Sequence, residues 1–172
     1  MKQSIVISVL GEDSPGLVES LSKLVVAHQG DWVESRMASL AGQFAGILQV
    51  DLPIDQVQPF SQALEQADFG LKVIFEAAVT DATQAPMKTY QLELVGQDRP
   101  GIIHKLSSVL AQLNVNVDEL ETEVVEASMS GEHLFKASIR IEVSAADGAD
   151  AIADALEAIA NELIVDIELA ES

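Results

Sequence analysis

Two stretches combine residue types and spacing that could do chemistry: Gly11-Glu12-Asp13-Ser14-Pro15-Gly16-Leu17-Val18 and Gly96-Gln97-Asp98-Arg99-Pro100-Gly101-Ile102-Ile103. Corresponding residues of the two stretches lie 85 positions apart. Each follows an apolar run suited to a strand, Ile5 to Leu10 or Leu92 to Val95, and each precedes a helical pattern. Asp13 or Ser14, and Asp98 in the second stretch, are placed to cap the free amides of a first helical turn. Pro15 and Pro100 suit the first helical position, where a missing N–H costs nothing. Gly16 and Gly101 carry no side chain, so a backbone or a small ligand can come close. Such a helix start favours anions, because its unpaired N–H groups and its dipole point the same way, and an amino acid's carboxylate would fit there. A plain capped turn explains either copy alone. Two copies at one spacing weaken that explanation.

Around these stretches the chemistry thins out. Arg99 is the one charge in the second loop that could pair with a ligand carboxylate; its simpler role is a solvated residue in a capping turn. His28, His104 and His133 have no metal-ligand spacing, so no metal site is expected. Of the three, His104 lies nearest a motif, one turn into the second helix. Trp32 is the single tryptophan and is expected in or beside a core. Glu119, Glu121, Glu123 and Glu126 form a mostly alternating acidic series on a strand. They read as an edge that discourages sheet pairing, or as a docking face for a basic partner. There is no cysteine, which removes disulfides and thiol chemistry. No Ser-His-Asp or Cys-His arrangement is readable, so no catalytic residue and no cofactor are expected.

The elements that must position the motifs repeat as well. Ile5, Ile7 and Val9 alternate with serines in a first strand, and Leu17, Leu21, Leu24, Val25 and His28 form a helix face that Gly30 terminates. Residues 31–41 and 43–52 read as a hairpin turning at Ala41-Gly42-Gln43. A helix with Val57, Phe60, Leu64 and Ala67 inward follows, in which Pro59 belongs to the first turn. Leu71 to Val79 makes a fourth strand. Asp81 to Pro86 is a short polar linker. The same order then starts again: strand Tyr90 to Val95, a helix through Ile102 and Leu113, a hairpin of Asn116 to Val125 and His133 to Val143, a capping box at Ser144 to Asp147, a helix burying Ile152, Leu156 and Ile159, and a strand Leu163 to Leu169. The polar segment Glu126 to Glu132 lengthens the second hairpin and reads as a mobile tip.

Expected boundaries are 1–80 for the first domain, 81–87 for the linker and 88–172 for the second domain. The class is α+β, with each domain a βαββαβ ferredoxin-like unit whose antiparallel four-stranded sheet carries its helices on one face. That fold hosts unrelated functions. An acylphosphatase-like enzyme is one, but it needs a phosphate-cradling loop with a positioned arginine and a nearby asparagine, and residues 11–16 are acidic and contain no arginine.

Composition narrows the partners. Apolar residues make up 48% and aromatics 4%, so the cores must be aliphatic. The net charge is −19, with nine Lys and Arg scattered among 28 acids. Division at Pro86 leaves −7 in the first part and −12 in the second. Direct nucleic-acid binding usually shows a basic patch or stripe, so any regulatory role must pass through a protein partner or a small ligand. The chain opens Met1-Lys2-Gln3 directly into a strand, without a charged-then-apolar segment, and no apolar run approaches the roughly 20 residues that span a bilayer. A soluble cytoplasmic protein without membrane contact is expected.

The strand, the Gly-x-Asp-x-Pro-Gly-[Leu/Ile]-[Val/Ile] turn, the helix and a strand opening near Asp31 or Asn116 together resemble the ACT domain. Two copies fill nearly the whole chain. That layout, with Asp31 to Ala38 after the first helix, is similar to the glycine cleavage system transcriptional repressor group. ACT domains are small regulatory modules that bind amino acids, commonly between two copies, through the loop after the first strand. The resemblance implies a ligand site at Asp13, Ser14, Pro15, Gly16 and Leu17, and at Asp98, Arg99, Pro100, Gly101 and Ile102, with Asp31 and Asn116 facing the same groove. It further implies glycine as the favoured ligand, a LysR-type DNA-binding regulator as the partner, and assembly within the chain or as a homodimer. An amino-acid sensor acting on a different protein would share every one of these residues.

Overall fold

The computed structural model describes residues 1–68, 70–78, 87–127, 131–144 and 149–171. The linker read at 81–87 lies almost wholly outside them, as do most of the capping box at 144–147 and the centre of the 126–132 tip. By internal contacts the chain divides into two compact units, Met1–Asp81 and Ala82–Ser172.

The first unit contains β1 (Lys2–Glu12), α1 (Leu17–Ala27), β2 (Asp31–Leu40), β3 (Gln43–Pro53), α2 (Ile54–Gln66) and β4 (Leu71–Ala77). The second contains β5 (Met87–Gln97), α3 (Ile102–Gln112), β6 (Asn116–Glu126), β7 (His133–Ser144), α4 (Ala149–Leu163) and β8 (Val165–Glu171). The sheets run β2-β3-β1-β4 and β6-β7-β5-β8, with every neighbouring pair antiparallel. Each unit is therefore the expected βαββαβ sandwich of one sheet and two helices.

Period-two alternation sets which face is covered. Ile5, Ile7 and Val9 of β1 are buried with Leu48, Val50 and Leu52 of β3 against Leu17, Leu21 and Val25 of α1 and Phe60 and Leu64 of α2. Leu92, Leu94, Ile139 and Ile141 do the same against α3 and α4 in the second unit. Among the described residues, no helix of its own unit lies on the opposite face of either sheet. The β2–β3 hairpin turns through Ala41 at φ 51° and Gly42 at φ 79°, a two-residue turn with both φ values positive, which matches the twist of the strands. The outer strands β2 and β6 each contain a bulge, between Trp32 and Glu34 and between Val117 and Glu119, at the same place in the repeat.

Several local expectations are corrected. α1 is closed by Gln29 at φ 57°, not by Gly30: the Gln29 N–H donates to the Val26 carbonyl (3.0 Å) and the Gly30 N–H to the Val25 carbonyl (2.9 Å). Asn114, at φ 55°, repeats this closure in the second unit. Pro59 is not in the first turn. α2 starts at Ile54 and runs through Pro59 to Gln66, because Phe60 and Leu64, buried on its inner face, hold it to the sheet. Leu163 ends α4 instead of opening the last strand, and Ile164 at φ 56° makes the reversal.

Candidate functional site

The repeated motif is shared between a strand end and a short loop. Gly11 and Gly96 lie inside β1 and β5, where they make room for a neighbouring strand. A Cβ on Gly11 would stand 2.3 Å from the Gly70 carbonyl oxygen, and one on Gly96 would stand 2.3 Å from Val165 Cγ1. The absent side chains let the neighbouring strand close against β1 and β5.

The loop proper is residues 13–16, and 98–101 in the second unit. Gly16 and Gly101 are the N-cap residues of α1 and α3, with φ 93° and 90°, a left-handed conformation that glycine adopts without strain. A Cβ on either would meet nothing within 4 Å, so conformation, not space, selects glycine. The Gly16 carbonyl accepts from the Ser20 N–H (2.9 Å) and the Gly101 carbonyl from the Lys105 N–H (3.0 Å), which starts each helix. Neither helix has a side-chain cap bond, so Asp13, Ser14 and Asp98 do not cap as expected. Pro15 and Pro100 precede the N-cap instead of following it. A glycine that turns the chain at the cap leaves the first-turn N–H groups without side-chain partners and open to an external acceptor.

The loops are held to the adjacent hairpins by backbone bonds, from the Asp13 N–H to the Gly42 carbonyl and from the Asp98 N–H to the His133 carbonyl, both 2.9 Å. Asp13, Ser14, Pro15 and Gly16 are exposed, as are Asp98, Arg99, Pro100 and Gly101. Leu17 and Ile102 are buried in the cores, which places their side chains away from any ligand at the loop surface. Asp31 and Asn116 are the largest departure from the expected groove. Asp31 pairs with Asp51, and Asp51 pairs with Ser4, at the far end of β1 from Asp13. Strand geometry puts that end about 30 Å from the loop. Asp31 is instead ion-paired with Lys2. Asn116, level with Glu142 and Thr89, is equally remote from Asp98.

The two loops have different electrostatics. In the first, Asp13 Oδ2 accepts from Ser39 Oγ (2.6 Å), and the first turn of α1 carries Glu19. The Glu19 carboxyl is held below its ordinary range by a hydrogen bond from Lys23 and by that residue's charge, so it stays negative. The residues 85 positions further on are Val124 for Ser39 and His104 for Glu19. Asp98 therefore faces no hydroxyl at that place, and the first turn of α3 holds no acid. Arg99 donates to Gln97 Oε1 (3.0 Å), on the loop itself. Around the second loop stand the Arg99 cation, the first-turn N–H groups of α3 and the Asp98 carboxylate. Around the first stand Glu12, Asp13 and Glu19. Ser39 and Glu19 were legible as differences between the two loops only by applying the 85-residue offset beyond the motif itself.

Among the described residues no cluster of His, Asp or Glu could hold a metal, and no helix is long and apolar enough to cross a membrane.

The sequence matches the ACT domain over residues 3–76 and again over residues 90–161. No curated protein matches it. Among solved structures, an unknown protein from Galdieria sulphuraria is similar at 32% identity and a TM-score of 0.90, covering 100% of this chain and 99% of that one. A structure described as a "putative glycine cleavage system transcriptional repressor" is similar in fold, at 18% identity and a TM-score of 0.70, covering 100% of this chain and 98% of that one. The fold, the repeated turn and the two matched regions agree: the chain belongs to the ACT domain family and contains that domain twice.

Proposed function

We propose that this protein is an amino-acid-sensing regulator, without catalytic activity, that binds its ligand at the second motif loop. The observation that carries this reading is the charge difference between the loops. Asp98, Arg99 and the acid-free start of α3 suit both ends of a zwitterion, whereas Asp13 is occupied by Ser39 and Glu19 opposes a carboxylate. Because Asp31 and Asn116 lie at the far end of their own sheets, either one reaches a loop only from another copy of the fold, as in a homodimer. The ligand shifts the assembly by its differential affinity for the two arrangements.

Glycine is the proposed ligand and the glycine cleavage genes the proposed target, on the strength of the end-to-end likeness to a protein named as such a repressor. With a net charge of −19 the chain acts through a DNA-binding partner of the LysR type, in the cytoplasm, and not by touching DNA. Glycine weakens that association. Thermal-shift titration against the common amino acids tests the sensing step, since a ligand of the folded state raises Tm with concentration. A rise with glycine supports the whole reading. A rise only with another amino acid leaves the sensor and removes glycine, and no rise with any removes the sensor.

A further inference from the structure

We propose that β4 is a self-complementary edge at which a second copy of this chain pairs, antiparallel and centred on Ile74. The proposal needs neither the sensing reading nor a DNA-binding partner, and β4 is the sheet edge opposite β2, which carries Asp31. Its register with β1 continues to Ala78, whose N–H donates to the Ser4 carbonyl (3.1 Å). Alternation along an antiparallel ladder then turns the N–H and C=O groups of Leu71, Val73, Phe75 and Ala77 away from β1. An open edge of this kind is a template for another strand. The other three edge strands are blunted. β2 and β6 are bulged, and β8 carries Asp166 and Glu168, which would set like charges opposite each other in self-pairings centred on Asp166, Ile167 or Glu168.

The chemistry of β4 selects its own copy as the occupant. Lys72, Ile74 and Glu76 lie on the sheet face turned away from the helices, opposite Leu10, Ser8 and Val6 of β1. All three are exposed, Ile74 at 63%. Neither Lys72 nor Glu76 has an ion-pair partner among the described residues. A two-fold axis at Ile74 puts Lys72 of each copy opposite Glu76 of the other, and Ile74 opposite Ile74. Opposite charges and apolar side chains that face across strands stabilise a pairing. The same register sets Val73 opposite Phe75, so the backbone groups that meet are the ones β1 leaves open. Both side chains are half-buried on the helix side, where with Leu71, Ser61, Leu64, Glu65 and Ala67 they line a groove of about 360 Å³ that the second copy's strand would wall. Centring on Val73 or Phe75 instead pairs neither charge with the other.

The test is the oligomeric state of the full chain by sedimentation equilibrium, without any amino acid present, so its outcome is separate from that of the sensing reading. The chain should dimerise reversibly. Lys72→Glu and Glu76→Lys should each weaken the dimer about tenfold, and an equimolar mixture of the two variants, or the double variant, should restore it. Positions 72 and 76 lie about 13 Å apart along one strand, too far to pair within a copy, so recovery reports the contact between copies. Because the chain has no cysteine, Ile74→Cys gives a second readout. A non-hydrogen-bonded pair brings its Cα atoms to about 4.5 Å, within reach of a disulfide, and oxidation should yield a covalent dimer. A chain that stays monomeric at millimolar concentration, a dimer indifferent to both charge reversals, no recovery on mixing, or no cross-link through Ile74→Cys would overturn the proposal.

Discussion

Asp13 and Asp31, 18 residues apart in sequence, lie at opposite ends of one β-sheet. The helix between them carries the chain back along β1, so β2 begins beside Lys2 and ends beside the loop, where Ser39 binds Asp13. Residues that the resemblance to the ACT domain groups in one site are thus separated within a unit by the length of the sheet. A site containing both needs two copies of the fold.

Asp98→Asn should weaken amino-acid binding by about tenfold or more, because it removes the charge that meets the ligand's ammonium. Asp13→Asn should leave binding nearly unchanged while costing about 1 kcal/mol of stability through the bond to Ser39. Calorimetric titration and urea denaturation of both variants check the contrast.

Gly101→Ala places a side chain at φ 90° in open space, so the cost is backbone strain of about 1–2 kcal/mol, without a clash. Gly96→Ala differs, because its Cβ would stand 2.3 Å from Val165 Cγ1, an overpacking of about 1–3 kcal/mol. Val165→Ala should partly rescue Gly96→Ala and should not rescue Gly101→Ala. Denaturant midpoints of the single and double variants measure both effects.

Pro59→Ala should stabilise the first unit by about 1–3 kcal/mol. It restores an N–H to the interior of α2, where Pro59 is exposed and Phe60 alone is buried beside it. A higher Tm confirms that tertiary burial, not local propensity, carries the helix through this residue.

Much of the fold was legible in the sequence. Alternation at Ile5, Ile7 and Val9 and at Ala137, Ile139 and Ile141 marked core strands, and the 85-residue offset made each unit a check on the other. What escaped was set by backbone geometry or by distant packing. Asp13 and Ser14 have the composition of caps, yet a left-handed Gly16 takes that position and frees them. Pro59 reads as a helix start because the burial of Phe60 and Leu64 is a tertiary fact. The bulges at Val33 and Asp118 have no compositional mark. The separation of Asp31 from Asp13 requires strand register, which residue types do not reveal.

The central claim is that the second loop binds an amino acid. Isothermal titration of the full chain with glycine, serine and alanine, repeated on Asp98→Asn and Asp13→Asn, tests it most directly. The account predicts saturable binding of at least one of them, lost in Asp98→Asn and kept in Asp13→Asn. Binding that survives Asp98→Asn and disappears in Asp13→Asn would contradict it.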